Sequence, residues 1–279
     1  MSFFIHGDNI ENKVRTEKEA KNQELLREIK EKYLIWKKDN LKIIGTEKPD
    51  IIKRVKLLND YKDFIDRPKF RKEKGRRYGF AFQSKLHATV IEEFLYYLFK
   101  DIRKLKDKNI DFGPTQAYSN LYFAPPNING FEESSNIVIN VKDQDFSISK
   151  EVILKSRVSN SENWQESKIH VPIVSIECKT YLDKTMFEGS VSTAEKIKKG
   201  NPYCIFLIVT ETYEVSLDVD PKYSAIDQIY VLRKESRDNP IDESLVHDLF
   251  KFVEWHLKPI RRKSQEIYSN IKKYGKAYV

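Results

Sequence analysis

The chain has 279 residues, enough to bury a sizeable core in one large domain or two. Its 15 Tyr and 16 Phe exclude a disordered tail protein, and a formal charge of +8, from 50 basic and 42 acidic residues, favours an anionic partner. No apolar run reaches the length of a membrane span, no basic-then-apolar leader opens the chain, and the cysteines are only Cys178 and Cys204, so a reduced, cytoplasmic setting is expected.

Residues 16–38 read as a charged helix, with Leu25, Leu26, Ile29, Tyr33 and Trp36 at helical spacing. A second helix is expected from Pro49 to Ile65, its apolar side made by Ile52, Val55, Leu58 and Phe64, and Pro68 stops it. The run from Pro68 to Gly79 holds six basic residues and one acid. Such a run is either a solvated loop or a flexible arm whose Lys72, Lys74, Arg76 and Arg77 track a phosphate backbone. Ser84 to Arg103 is the most regular helix, with Leu86, Val90, Phe94 and Leu98 in one stripe and Glu92 and Glu93 midway along it.

Strands follow. Tyr118–Phe123 ends at Pro125-Pro126, Asn136–Val141 is a second candidate, and Lys142–Lys155 begins with two acids, Asp143 and Asp145. The polar loop 159–167 leads into an apolar strand ending in Glu177-Cys-Lys179. The pattern Glu-x-Lys is common in this chain, as in Glu11-Asn-Lys13, Glu19-Ala-Lys21 and Glu28-Ile-Lys30, which read as solvated helix faces. The apolar lead-in sets Glu177 and Lys179 apart, because two charges at the end of a buried strand are costly to desolvate without partners. Alternation puts both on one face. A hairpin turn centred near Ser161 pairs Asp145 with Glu177, so Asp145, Glu177 and Lys179 are expected at one end of a sheet; a one-residue slip would turn Asp145 away.

A helix is expected after Thr180 as far as Lys199, then an apolar strand Cys204–Thr210, a strand Ile226–Arg233, and a last helix from Pro240 to Leu257 with Leu245, Leu249, Phe252, Val253 and Leu257 inward. Strand, crossover helix, strand is the parallel arrangement. Added to the hairpin, it gives an α/β (α+β) fold with a mixed β-sheet flanked by helices. The end is basic (Lys258, Arg261, Arg262, Lys263, Lys272, Lys273, Lys276), either a DNA-contacting tail or a solvated terminus. His6, His87, His170, His247 and His256 show no paired metal spacing and read as structural or surface residues.

An Asp on one hairpin arm and Glu-x-Lys at the end of the next resembles the PD-(D/E)XK nuclease superfamily. More closely, Glu92–Phe99, Lys142–Phe146, Ile176–Met186, Thr193–Lys198, Pro202–Cys204, Ile226–Arg233 and Asn239–Asp242 resemble Type II restriction endonucleases of the BbvCI type. The similarity runs in order from Leu86 to Leu257; the first eighty residues match weakly. No Pro precedes Asp145, which leaves Asp143 as a substitute. The resemblance implies a restriction-endonuclease-like catalytic domain at 81–257, a helical N-terminal region at 1–80 for DNA recognition or dimerisation, and a basic tail at 258–279. It implies that Asp145 and Glu177 ligate Mg2+, which activates water and stabilises the leaving 3′ oxygen, and that Lys179 orients that water or neutralises the scissile phosphate. Glu92 is the implied helix carboxylate, with Glu93 as alternative, and Lys184 and Glu188 are weaker candidates for phosphate and supporting contacts. Further implied are a short duplex DNA site, CTNAG-like or CCTCAGC-like, a homodimer or a heterodimer with a related subunit, and a companion methyltransferase. A repair or branched-DNA nuclease and a non-cleaving DNA-binding protein are the alternative readings.

Overall fold

The computed structural model describes residues 3–72, 74–81, 84–102, 110–130, 134–159, 161–216, 219–257 and 263–277. Three helices lead: α1 (Ile5–Thr16), α2 (Ala20–Lys42) and α3 (Lys48–Ile65). The periodic stripe of α2 is buried as expected, but α1 was not legible in the sequence. It buries only His6, Gly7 and Ile10. Contact is close rather than broad, because a Cβ on Gly7 would run into the Tyr33 ring. In α3 the inward residue of the first turn is Ile51, with Ile52 only partly buried.

α4 (Lys85–Phe99) is followed by five strands: β1 (Asp111–Phe123), β2 (Ile137–Ser156), β3 (Gln165–Lys179), β4 (Ile205–Thr210) and β5 (Gln228–Val231). They form one sheet in the order β1-β2-β3-β4-β5, antiparallel through β1, β2 and β3, then parallel through β4 and β5. The mixed sheet is the one expected. Two of its strands are longer than the sequence pattern indicates. β1 begins at Asp111, well before the expected Tyr118, with a bulge at Gly113-Pro114; the two candidates spanning 136–155 are one twenty-residue strand, β2. Bulges interrupt the two-residue alternation on which strand reading depends.

β3 reaches its parallel neighbour β4 through α5 (Lys184–Gly200). Asp183 caps this helix by accepting the Met186 amide at 2.8 Å. One face of the sheet, with Phe146, Ile148, Val174, Ile176, Leu207 and Val209, shares a core with α1–α4 and α6 (Glu243–His256). The other, with Ala117, Phe206 and Ile208, is covered by Phe187, Ala194 and Ile197 of α5. In α6 the expected Leu249 and Val253 are buried, but Val246 and Phe250 complete the inward stripe, while Leu245, Phe252 and Leu257 are only partly buried. The basic end contains a helix, α7 (Lys263–Tyr274), with Lys272, Lys273 and Lys276 exposed; Lys258, Arg261 and Arg262 lie outside the described residues, as does Arg103 at the expected end of α4. Among the described residues no helix is long and apolar enough to cross a membrane.

Candidate active site

The site forms where two paired strands part. β2 and β3 run opposite one another, Ile148 with Val174, Ser147 with Ser175 and Phe146 with Ile176, so the next step of the register brings Asp145 to Glu177. Closer to the turn the register shifts by one at a bulge between Ile148 and Ser149. At Asp145 the ladder ends: β2 continues against β1, with Gln144 opposite Thr115, while β3 continues against β4 as far as Lys179 opposite Thr210. The Asp145 side chain fills the gap, Oδ2 accepting the Cys178 amide at 2.8 Å. Its orientation is therefore fixed by β3 as well as by its own strand.

Lys179 Nζ donates to Glu177 Oε2 at 2.6 Å and to Asp145 Oδ2 at 3.3 Å. Burial works against this ammonium, but the Asp145 and Glu177 charges prevail and lift its pKa above the usual lysine value. Burial, then repulsion from Asp145, raises the pKa of Glu177, with Lys179 opposing. Glu92 comes to the same place from α4. Burial first, and Asp145 second, push its pKa up to about 8, against the pull of Lys179 and Lys85.

The adjacent Glu93 does not reach the site. Fully buried, its carboxylate accepts the His6 and Gly7 amides at 2.9 and 3.1 Å and the Tyr33 and Tyr97 hydroxyls at 2.9 and 2.5 Å. The two amides belong to the first turn of α1, so Glu93 caps that helix from another one. Asp143 is exposed and accepts from Gln116 Nε2 at 3.2 Å, away from the centre.

Lys184 opens α5 and is exposed, one turn ahead of exposed Glu188. Of the four loop cations, Lys72, Lys74 and Arg77 are exposed, but Arg76 is turned inward. Its Nη1 donates to the Pro68 and Arg71 carbonyls at 2.9 and 3.2 Å, and the guanidinium lies over the Tyr78 ring. The loop is also no free arm. Phe80 N–H donates to Phe70 O at 2.8 Å, Lys72 N–H to Phe80 O at 3.0 Å and Gly79 N–H to Asn22 Oδ1 at 2.7 Å.

Sequence reasoning also missed a buried ionic cluster behind β3. Lys62 Nζ lies 2.8 Å from Glu211 and 3.1 Å from Asp66, and Arg233 Nε lies 2.8 Å from Glu211. The Glu211 amide donates to the Lys179 carbonyl at 3.2 Å, which links α3 and the end of β5 to the strand bearing Lys179. Lys62 and Asp66 stand one helical turn apart, but no short spacing announces that Glu211 and Arg233 join them. Lys85 was missed as well; its signal is helical spacing, two turns before Glu92.

Asp145 and Glu177 thus share one ammonium, and Glu92 is near enough to feel its charge. Among the described residues no three His, Cys, Asp or Glu side chains enclose an ion by themselves. The donor chemistry nevertheless fits a hard divalent cation, which Asp145 and Glu177 could hold with the remaining positions left to phosphate and water oxygens.

The profile of the Bpu10I restriction endonuclease family matches residues 83–248. Among solved structures, one described as the native BbvCI A2B2 tetramer at low resolution is similar, with a TM-score of 0.67, 21% identity and 96% of each chain covered. No curated protein sequence matches.

Proposed function

Because the chain belongs to the Bpu10I restriction endonuclease family, and is thereby a Type II site-specific endonuclease, we propose that it hydrolyses duplex DNA with Mg2+ at the centre built from Asp145, Glu177, Lys179 and Glu92. One observation carries this reading: the Lys179 ammonium is held by both Asp145 and Glu177 at the point where β2 leaves β3. Bound there, the ion would supply an activated water and charge relief at the scissile phosphate. Asp145 and Glu177 would hold it, each already fixed by β3 or by Lys179. Lys179, its proton secured by two carboxylates, would present positive charge to the phosphate as charge builds in the transition state. Glu92, kept protonated near neutral pH by burial, would offer or take a proton at the edge of the site.

Around this centre, residues 1–80 would serve DNA recognition or dimerisation, 81–257 catalysis, and the basic end at 258–279 backbone contact, with Lys184, Lys72, Lys74 and Arg77 as phosphate contacts. The target would be a short site, CTNAG-like or CCTCAGC-like, cut in the cytoplasm of a cell that protects its own DNA with a companion methyltransferase. The similar BbvCI structure is of an A2B2 tetramer, which supports assembly with a second copy or a related subunit. One centre cuts one strand, so a heteromeric partner would make this chain a nicking subunit. The test is digestion of unmethylated phage DNA with Mg2+ or EDTA, sequencing every end. Discrete ends sharing a motif, and absent with EDTA, are expected; a folded, DNA-binding chain that cuts nowhere, even with a related subunit, would overturn the assignment.

A further inference from the structure

α4 is apolar almost throughout, and all but four of its fifteen residues are buried. The exceptions are Lys85, Ala88, Glu92 and Tyr96, spaced three, four and four apart. That spacing is one line along a helix. A helix enclosed on every other side therefore keeps a single accessible stripe, and the stripe contains the Glu92 carboxyl. Its far end is closed by rings: Tyr96 stacks on Phe3 at 5.1 Å and on Phe112 at 5.5 Å. At its open end Lys85 is exposed, and its charge is felt at Glu92. Between them Ala88 adds only a methyl group.

Two carboxylates held by one ammonium leave net negative charge at the centre, so a polyanion approaching it gains from further positive charge along its path. We propose that the accessible stripe of α4 is one wall of the groove that seats DNA, with Lys85 holding a phosphate of the strand being cut and Ala88 leaving room for its backbone. This rests on the reading of Glu92, Asp145, Glu177 and Lys179 as the catalytic centre. Seven residues of helix separate Lys85 from Glu92 by roughly 10 Å, about three base-pair rises. The phosphate held is thus a few nucleotides from the one attacked. A lysine suits this task, since it binds phosphate as a point charge and tolerates movement of the backbone.

The test uses the full chain with Lys85→Gln and Lys85→Arg. Affinity for a mixed-sequence duplex is measured without divalent metal over a range of salt, and cleavage of unmethylated phage DNA is timed at saturating enzyme. For Lys85→Gln, binding weakened about tenfold at low salt and a salt slope shallower by about 0.9 are expected. Lys85→Arg should restore both. Unchanged affinity and slope would overturn the proposal, as would a slower saturated rate at unchanged affinity. Normal cutting by Lys179→Ala would instead sink the catalytic reading, and it would leave the affinities measured for Lys85→Gln untouched.

Discussion

Glu92 and Glu93, adjacent on α4, put their carboxyl groups into two different environments. Glu92 faces Asp145 across the site, while Glu93 accepts four hydrogen bonds and caps α1. The two Gln variants should therefore separate stability from activity. Glu93→Gln replaces a charged acceptor of four donors, and urea unfolding should show a loss of about 1–3 kcal/mol. Glu92→Gln resembles the protonated acid present below its pKa of about 8. It should fold at least as stably as the parent at neutral pH and lose most of its cleavage. Equal stability of the Glu93 variant would show the cap to be dispensable.

Lys179→Ala should abolish cleavage and leave DNA binding largely intact if, as proposed, the ammonium acts on the transition state more than on docking. The same substitution leaves Asp145 and Glu177 facing each other without their shared cation. Added Mg2+ should then raise the melting temperature of Lys179→Ala by more than that of the parent. An identical response in both proteins would show that the Lys179 ammonium and the ion do not compete for these two carboxylates.

Acid sensitivity should be traceable to His6. Its ring is fully buried, 2.7 Å from the Tyr61 hydroxyl and 3.0 Å from Thr89 Oγ1. Burial, then the His87 and Lys62 charges, lowers its pKa to about 3. The unfolded chain takes up this proton near pH 6.5, and the folded one only near pH 3. Stability from this group is therefore complete above pH 6.5 and falls as pH drops towards 3, by at most about 1.4 kcal/mol per unit. His6→Asn should flatten unfolding free energy between pH 6.5 and 5. If it stays as steep as the parent, other groups such as the similarly buried His87 carry the effect.

The basic loop should divide by side-chain orientation. Changing Lys72, Lys74 and Arg77 to Gln should weaken binding to every duplex and flatten its salt dependence. Arg76→Gln and Gly79→Ala should act on folding instead. The first loses bonds to two carbonyls; the second strains a residue at φ +99° and drives a Cβ into the Arg71 carbonyl. Melting curves and salt titrations on the same variants would reveal any exchange of roles.

The parts legible in the sequence were those governed by periodicity. The stripes of α2 and α4, the apolar run of β4 and the register that brings Asp145 to Glu177 follow from spacing alone. That register survived only in part, since a bulge at Ile148/Ser149 shifts the pairs nearer the turn. Hidden instead were features made by distant contacts: α1, which buries three residues and relies on Glu93, and the cluster of Lys62, Asp66, Glu211 and Arg233. The choice between Glu92 and Glu93 was open for the same reason. Which of two adjacent acids faces a strand pair depends on what covers the other, and here that cover is α1.

Phe3 stacks on Tyr96, and the first turn of α1 is fastened to the residue next to Glu92. A fusion joint placed directly before Phe3 would stand beside this aromatic stack. Proteolytic trimming to His6 would also remove a donor from Glu93 and loosen the helix that bears Glu92. Exposed positions late in α7, such as Lys272 and Lys273, are the better place for a label or an immobilisation handle.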